Sequence, residues 1–217
     1  MTGSEKSYHH GDLRAALLHA AEQELGEKGR DQFSLRSVAK RAGVSHAAPA
    51  HHFGDVTGLM AALATLGFDR FLETQKARQA QASAELREQL LQAGFGYIDF
   101  AMSHPALFRL MFGKSWGEIS DVALKASADA AFDHLVQNVA AVTGGDPETD
   151  PDTRTAIASV WAMVHGLADL MIGGAPRYLT EAAPDDRDRM LRQIIGSSLP
   201  APEAGPAQGA AVDTIHD

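Results

Sequence analysis

The sequence predicts an all-α protein of about nine helices, with a small three-helix domain at the amino terminus and a larger helical domain behind it. Three observations carry that expectation. Apolar residues recur three and four positions apart along most of the chain, no segment shows the two-residue alternation of a half-buried strand, and Gly, Pro and Asp gather between the periodic segments. With 217 residues, 45% of them apolar, the chain can bury a sizeable core, and its length accommodates a small domain joined to a larger one.

Residues 1–8 have no periodicity and read as a mobile arm. From Asp12 a first helix places Leu13, Ala16, Leu17, Ala20, Ala21 and Leu25 on one face and ends near Gly29, with carboxylates such as Glu22 and Glu24 on its ordinary surface. The stretch SLRSVAKRAGVSHAAPAHHF, residues 34–53, reads as two short helices joined by a glycine turn. Ser34 caps the first, whose inward positions are Leu35, Val38 and Ala39. Gly43 ends it, because the residue past a helix end often needs the positive φ that glycine adopts at little cost. Ser45 is a natural cap for the second helix. Phe33, Val38 and Phe53 complete a small core, and residues 1–55 form the first domain.

A fourth helix runs from Val56 through Met60, Leu63, Phe68, Phe71 and Leu72 to about Arg78, long enough to bridge the two domains. Residues 85–103 are apolar on two faces, one with Leu86, Leu90, Ala93 and Tyr97, the other with Leu91, Phe95, Ile98 and Met102, so this helix belongs at the centre. Pro105 opens a short helix containing Leu107, Phe108, Leu110, Met111 and Phe112. Residues 118–142 form another through Ile119, Val122, Ala126, Leu135 and Val139, followed by a loop from Thr143 to Pro151. Ile157, Val160, Trp161, Val164, Leu167, Ala168 and Met171 make the clearest stripe, and a last helix spans about Pro184 to Ile195 with acids in its first turn. The second domain is thus 56–196, and residues 197–217, rich in Pro, Ala and Gly, read as a disordered tail.

Charge and composition restrict the function. The net charge is -9, yet residues 32–54 hold three basic residues and no acid, so a local positive patch persists in an acidic chain. Two short helices around a glycine with that charge have the outline of a DNA-reading helix-turn-helix. Arg36, Lys40 and Arg41 would meet phosphates; Ser45, His46, Ala47, Ala50 and His51 lie at or near the exposed start of the second helix, where base edges are read. Ser34 and His52 complete this candidate DNA-binding set.

Other chemistry finds little support. The chain has no cysteine, which excludes structural disulfides, cysteine catalysis and thiolate metal sites and fits a reducing compartment. No run of about twenty uncharged apolar residues and no basic-then-apolar leader is present, so a cytoplasmic protein with no membrane association is expected. There is no glycine-rich phosphate loop and no serine in a nucleophile elbow, so neither an enzyme nor a cofactor is expected. His9, His10, His46, His51 and His52 cluster in the first domain, but His46 and His51 are five apart and His51 and His52 diverge, which does not suit a metal.

In the second domain Trp161, His165 and Asp169 follow at four-residue steps and share one edge of the long stripe. Asp169 could orient a neutral His165 beside the flat wall of Trp161, together recognising a ligand with one polar group; a packed core with one satisfied histidine is the alternative. Phe95, Met102, Phe108, Met111, Phe112, Trp116 and Phe132 suit a core, some of whose volume a ligand-responsive domain leaves open.

YHHGDLRAALL at 8–18, FSLRSVAKRAGVS at 33–45 and HHFGD at 51–55 resemble, in order and spacing, the DNA-binding domain of the TetR/AcrR family of bacterial transcriptional regulators. HPALFRLMF at 104–112 and WAMVHGLADL at 161–170 resemble a subgroup whose ligand-binding domain is marked by Trp, His and Gly, here Trp161, His165 and Gly166. The resemblance implies a homodimeric repressor joined through its last two helices, a palindromic double-stranded DNA operator, and a largely apolar small-molecule effector that releases the DNA. Departures from the family pattern are Ala50 where many relatives carry an aromatic residue, Val56 near a usual lysine, and Pro49. Counted from a cap at Ser45, Pro49 removes the first helical hydrogen bond, so an irregular start is expected. His51 and His52 would replace part of the lost backbone contact. A helical small-molecule carrier that has lost DNA reading is the alternative.

Overall fold

The computed structural model describes residues 10–113 and 121–200, and ten helices occur among them. The arm expected at 1–8, Trp116, Ile119 and residues 201–217 lie outside the described residues. Helices α1 (His10–Lys28), α2 (Leu35–Ala42) and α3 (Ala48–Phe53) form the amino-terminal head, and α4 (Val56–Gln79) leads out of it. The remainder comprises α5 (Leu86–Ser103), α6 (Pro105–Met111), α7 (Val122–Thr143), α8 (Pro151–Ile172), α9 (Arg177–Thr180) and α10 (Pro184–Ser198).

Every expected helix is present, with differences of extent in α3, α7 and α10 and one addition. The addition is α9, a single turn too short to leave a periodic signature, which buries Leu179. Asp121 accepts from the Leu124 N–H at 2.8 Å and starts α7 at Val122 rather than at 118. Helix α10 continues to Ser198 and Leu199 is buried, so packing persists past residue 197, where the tail was expected to begin.

Burial explains the arrangement. Leu17, Ala20, Ala21 and Leu25 of α1 join Phe33 and Val38 in a core continuous with that of the larger domain. Helix α4 touches α1, α3, α5, α6 and α7 and is the spine of the molecule. It crosses α5 at unusually short range: a Cβ added at Gly96 would stand 2.6 Å from the Cα of Gln75, so only glycine permits the approach. Helix α8 is long and apolar enough by composition to cross a bilayer, with mean hydropathy 1.5. Here it buries Ile157, Val160, Val164, Ala168 and Met171 and packs on α5, α7 and α10. Its opposite face, with Ala158, Ala162 and Leu170, is exposed.

Candidate nucleic-acid interface and ligand cavity

The turn between α2 and α3 follows from local chemistry. Ser34 is extended, its Oγ accepts from the Ser37 N–H at 3.1 Å, and the Ser37 Oγ accepts from the Ser34 N–H at 3.3 Å. This reciprocal pair satisfies two otherwise orphaned donors and fixes where α2 begins. At the other end Gly43 has φ 67° and the Val44 N–H donates back to the Ala39 carbonyl at 3.1 Å, which reverses the chain within two residues.

Helix α3 starts later than expected. Ser45 does not cap it; the Ala48 N–H donates to the Ser45 carbonyl at 3.0 Å, closing a turn, and the helix begins at Ala48 after an uncapped Ala47. The cause is Pro49. Beginning the helix at Ala48 moves Pro49 into the first turn, where an N–H has no intrahelical partner and its absence costs nothing. Pro49 is fully buried, and the reading helix is only six residues long.

The surface this leaves is compact. Arg36 and Lys40 on α2 are exposed and have no ion pair or hydrogen bond among the described residues, and Ser45, His46, Ala47, Ala50 and His51 are exposed beside them. His52 is half-buried with its ring edge-on to His51 at 5.5 Å. Asp55 caps α4 by accepting from the Gly58 N–H at 2.9 Å, so α4 starts at once, with Val56 exposed.

Arg41, expected to face phosphates, is engaged elsewhere. Its Nε donates to Glu24 Oε1 at 2.7 Å and its Nη1 to Glu27 at 2.9 Å, with Nη2 also on Glu27. Lys28 donates to the other Glu24 oxygen at 2.6 Å. Glu24 is therefore not surface: it is 3% exposed, and the hydrogen bond from Lys28 leads, with that from Arg41, in holding its carboxyl at about 2 against the cost of burial. Arg41 ties α2 to α1. Glu22 is likewise engaged, accepting from Arg70 of α4 at 2.7 Å and facing His104 Nδ1 at 3.1 Å.

A cavity of about 300 Å³ opens between α4, α5, α7 and α8 and is closed by Ile195 and Leu199. Phe68, Phe71, Tyr97, Phe112, Phe132 and Trp161 form its aromatic wall. Of the residues expected to meet a ligand, Phe112 and Trp161 line it, Trp161 being 41% exposed. Phe108 and His165 stand one layer behind, their rings stacked 5.3 Å apart. The others are elsewhere. Phe95 lies under the guanidinium groups of Arg78 and Arg192, Met111 packs where α6 meets Gly67, and Met102 and Asp169 are exposed.

Three polar groups explain the wall. The Tyr97 hydroxyl and His165 Nδ1 are 2.7 Å apart, with the Trp161 ring edge-on to His165 at 6.5 Å. Burial pushes the Tyr97 hydroxyl up and the His165 imidazole down, so both are neutral at pH 7 and share one hydrogen bond. Asp169 acts on His165 through charge alone, so the orienting partner is Tyr97 rather than Asp169. Asn138 is fully used: its oxygen accepts from Gln79 at 2.7 Å and its nitrogen donates to the His134 carbonyl at 2.7 Å. Gln75 is the exception. It is 6% exposed and its one hydrogen bond, from Nε2 to the Phe71 carbonyl, spans 3.5 Å. Sequence reasoning passed over Gln75 and Tyr97, although Gln75 interrupts the inward row of Phe68 and Phe71 with a polar side chain.

Comparison with known proteins agrees with this architecture. Residues 17–63 match the family described as bacterial regulatory proteins, tetR family, and residues 90–197 match the tetracyclin repressor-like C-terminal domain. A protein of unknown function from Rhodococcus sp. RHA1 is 32% identical with a TM-score of 0.72, over 90% of this chain and 99% of that one. A TetR-like transcriptional regulator from the same organism is 20% identical, TM-score 0.63, over 87% and 96% of the two chains. The regulator LfrR from Mycobacterium smegmatis, solved in complex with proflavine, is 19% identical, TM-score 0.59, over 86% and 93%. No curated protein matches the chain. With a helix-turn-helix head whose cations face outward and a helical domain enclosing a cavity, the chain belongs to the TetR family of bacterial transcriptional regulators.

Proposed function

We propose that the protein is a homodimeric cytoplasmic repressor that binds a palindromic operator and releases it when a small molecule enters the cavity. One observation carries this reading: α4 is a single helix whose first residue follows the reading head directly and whose Phe68, Phe71 and Gln75 line the cavity. Whatever fills the cavity therefore bears on the element that positions the head. A compound that prefers the DNA-incompetent state 100-fold would shift the equilibrium by about 2.7 kcal/mol, enough for useful control.

Dimerisation through α8 and α10 is supported by the outward face of α8. Ala158, Ala162, Gly166 and Leu170 follow at four-residue steps, and Leu170 is 55% exposed. Small residues let a second helix approach closely, and the exposed leucine has apolar area to bury. Two symmetric heads would then meet half-sites about 34–36 Å apart. The Trp-His-Gly subgroup is supported by Trp161 and His165 lying edge-on at 6.5 Å beside the Tyr97 hydroxyl that His165 meets.

The carrier reading is favoured by the six-residue α3 and by Ala50 and Val56. Selecting bound fragments from the source genome with the purified protein separates the two. A repressor recovers a palindromic sequence whose affinity falls steeply between about 50 and 200 mM salt, as phosphate contacts release counterions. A carrier shows no sequence preference at any salt.

A further inference from the structure

We infer that the cavity takes an uncharged aromatic molecule carrying one hydrogen-bond donor, of the phenol class, which donates to the side-chain oxygen of Gln75. The inference rests on reading the cavity as the effector site and adds to it the chemistry of what enters.

Among the described residues the wall offers an anion no partner: no Lys, Arg or His side chain of theirs lines the cavity, and their one carboxylate there, Asp129, is at an exposed position where Lys125 pairs with it. A bound carboxylate would lose its water and gain no counter-ion, the costly case for a buried charge. The aromatic rings favour a flat apolar body, since offset and edge-on ring contacts add to simple area burial. A volume of about 300 Å³ is at the small end of ligand pockets, which suits one ring with a short substituent.

The polar requirement comes from Gln75. The Phe71 carbonyl can only accept, so the amide nitrogen must lie on its side, and this leaves the amide oxygen free. No hydrogen bond to that oxygen occurs among the described residues, although Gln75 is 6% exposed and lines the cavity. No fully buried side-chain N or O atom among the described residues lacks a partner, so this oxygen is open to the cavity, where a donor on an incoming molecule can reach it. Among the described residues the neighbouring polar groups are engaged elsewhere, Tyr97 with His165 and Asn138 with Gln79 and His134. An incoming O–H would meet this acceptor.

The test uses para-butylphenol, its methyl ether and para-butylbenzoate, which share a body and differ only at the polar end, titrated calorimetrically into the full chain. The phenol should bind roughly ten-fold more tightly than the ether, the margin of one buried hydrogen bond, and the benzoate should bind worst. Gln75→Leu should abolish the phenol's margin while leaving the ether's affinity unchanged; Gln75→Met serves if the leucine variant fails to fold. Equal binding of phenol and ether, tighter binding of benzoate, an undiminished margin in the variants, or no binding of any probe would each overturn the inference. Operator selection is done without ligand, so any of these failures is distinguishable from failure of the repressor reading.

Discussion

Glu22 on α1 and Arg70 on α4 meet at 2.7 Å, and the second Glu22 oxygen faces His104 at the junction of α5 and α6. One carboxylate thus fastens the head to two elements of the larger domain, 48 and 82 residues away in the chain. Glu22→Gln keeps the volume and removes the charge both partners share. We expect a loss of about 1 kcal/mol in urea denaturation, since the groups are partly exposed, and a weaker effect of bound effector on operator affinity. If neither stability nor that linkage changes, the halves communicate by another route.

Lys40 and Arg41 are adjacent in sequence and opposite in use. Lys40→Ala should weaken binding to every DNA sequence alike and lower the salt slope by about one. Arg41→Ala should instead lower the melting temperature of the head by a few degrees, because Glu24 loses its partner on α2. The pH dependence follows from Glu24. Its carboxyl is at about 2 in the folded head and at its ordinary 4.5 unfolded, so its stabilisation is complete above about 4.5 and is lost as pH falls toward 2. Melting curves of the two variants between pH 2.5 and 6 should show a shallower decline for Arg41→Ala than for Lys40→Ala.

His165 titrates with the opposite chemistry but the same sign. Burial lowers its folded value below the ordinary 6.5, so the unfolded chain takes up the proton first and stability falls as pH drops below that value. His134 is shifted the same way by burial and by Lys76 and contributes in the same window. Replacing His165 with Asn should flatten in part the fall of the melting temperature as pH drops below the ordinary 6.5, leaving the share that belongs to His134. A full, undiminished slope would place the titration elsewhere.

Gly96→Ala tests the crossing of α4 over α5. The added Cβ would meet backbone at 2.6 Å, so the helices must separate, at a cost of about 1–3 kcal/mol. Because Gln75 is the residue displaced, para-butylphenol binding should weaken as well.

Leu170→Asp bears on assembly. The side chain is already in solvent within one protomer, so the folded chain should tolerate the change, whereas a dimer closing over it would have to bury a charge. A two-fold drop in sedimenting mass at equal melting temperature is the expected result; an unchanged mass would move the interface away from this face.

Periodicity located the helices because each buries a face of its own sequence, and α9 escaped because a single turn has no period. The faces of α5 show where such reasoning stops. Both are apolar, and only the fold reveals that Tyr97 borders the cavity while Phe95 turns toward Arg78 and Arg192. Arg41 shows a second kind of limit: its partner Glu24 is 17 residues away, and no local rule separates a cation kept for phosphate from one spent on a neighbouring helix. Pro49 is intermediate. Its disturbance was legible, but the fold accommodates it by shortening α3 instead of straining it.

The unbroken course of α4 has a mechanical meaning. Phe71 stands about 22 Å along α4 from Val56, so pivoting the helix there by about 5° sweeps its amino-terminal tip through about 2 Å. That sweep is more than half of the roughly 3.4 Å between neighbouring nucleotides, so a small swelling among phenylalanine rings is felt as a change of register at the amino-terminal tip.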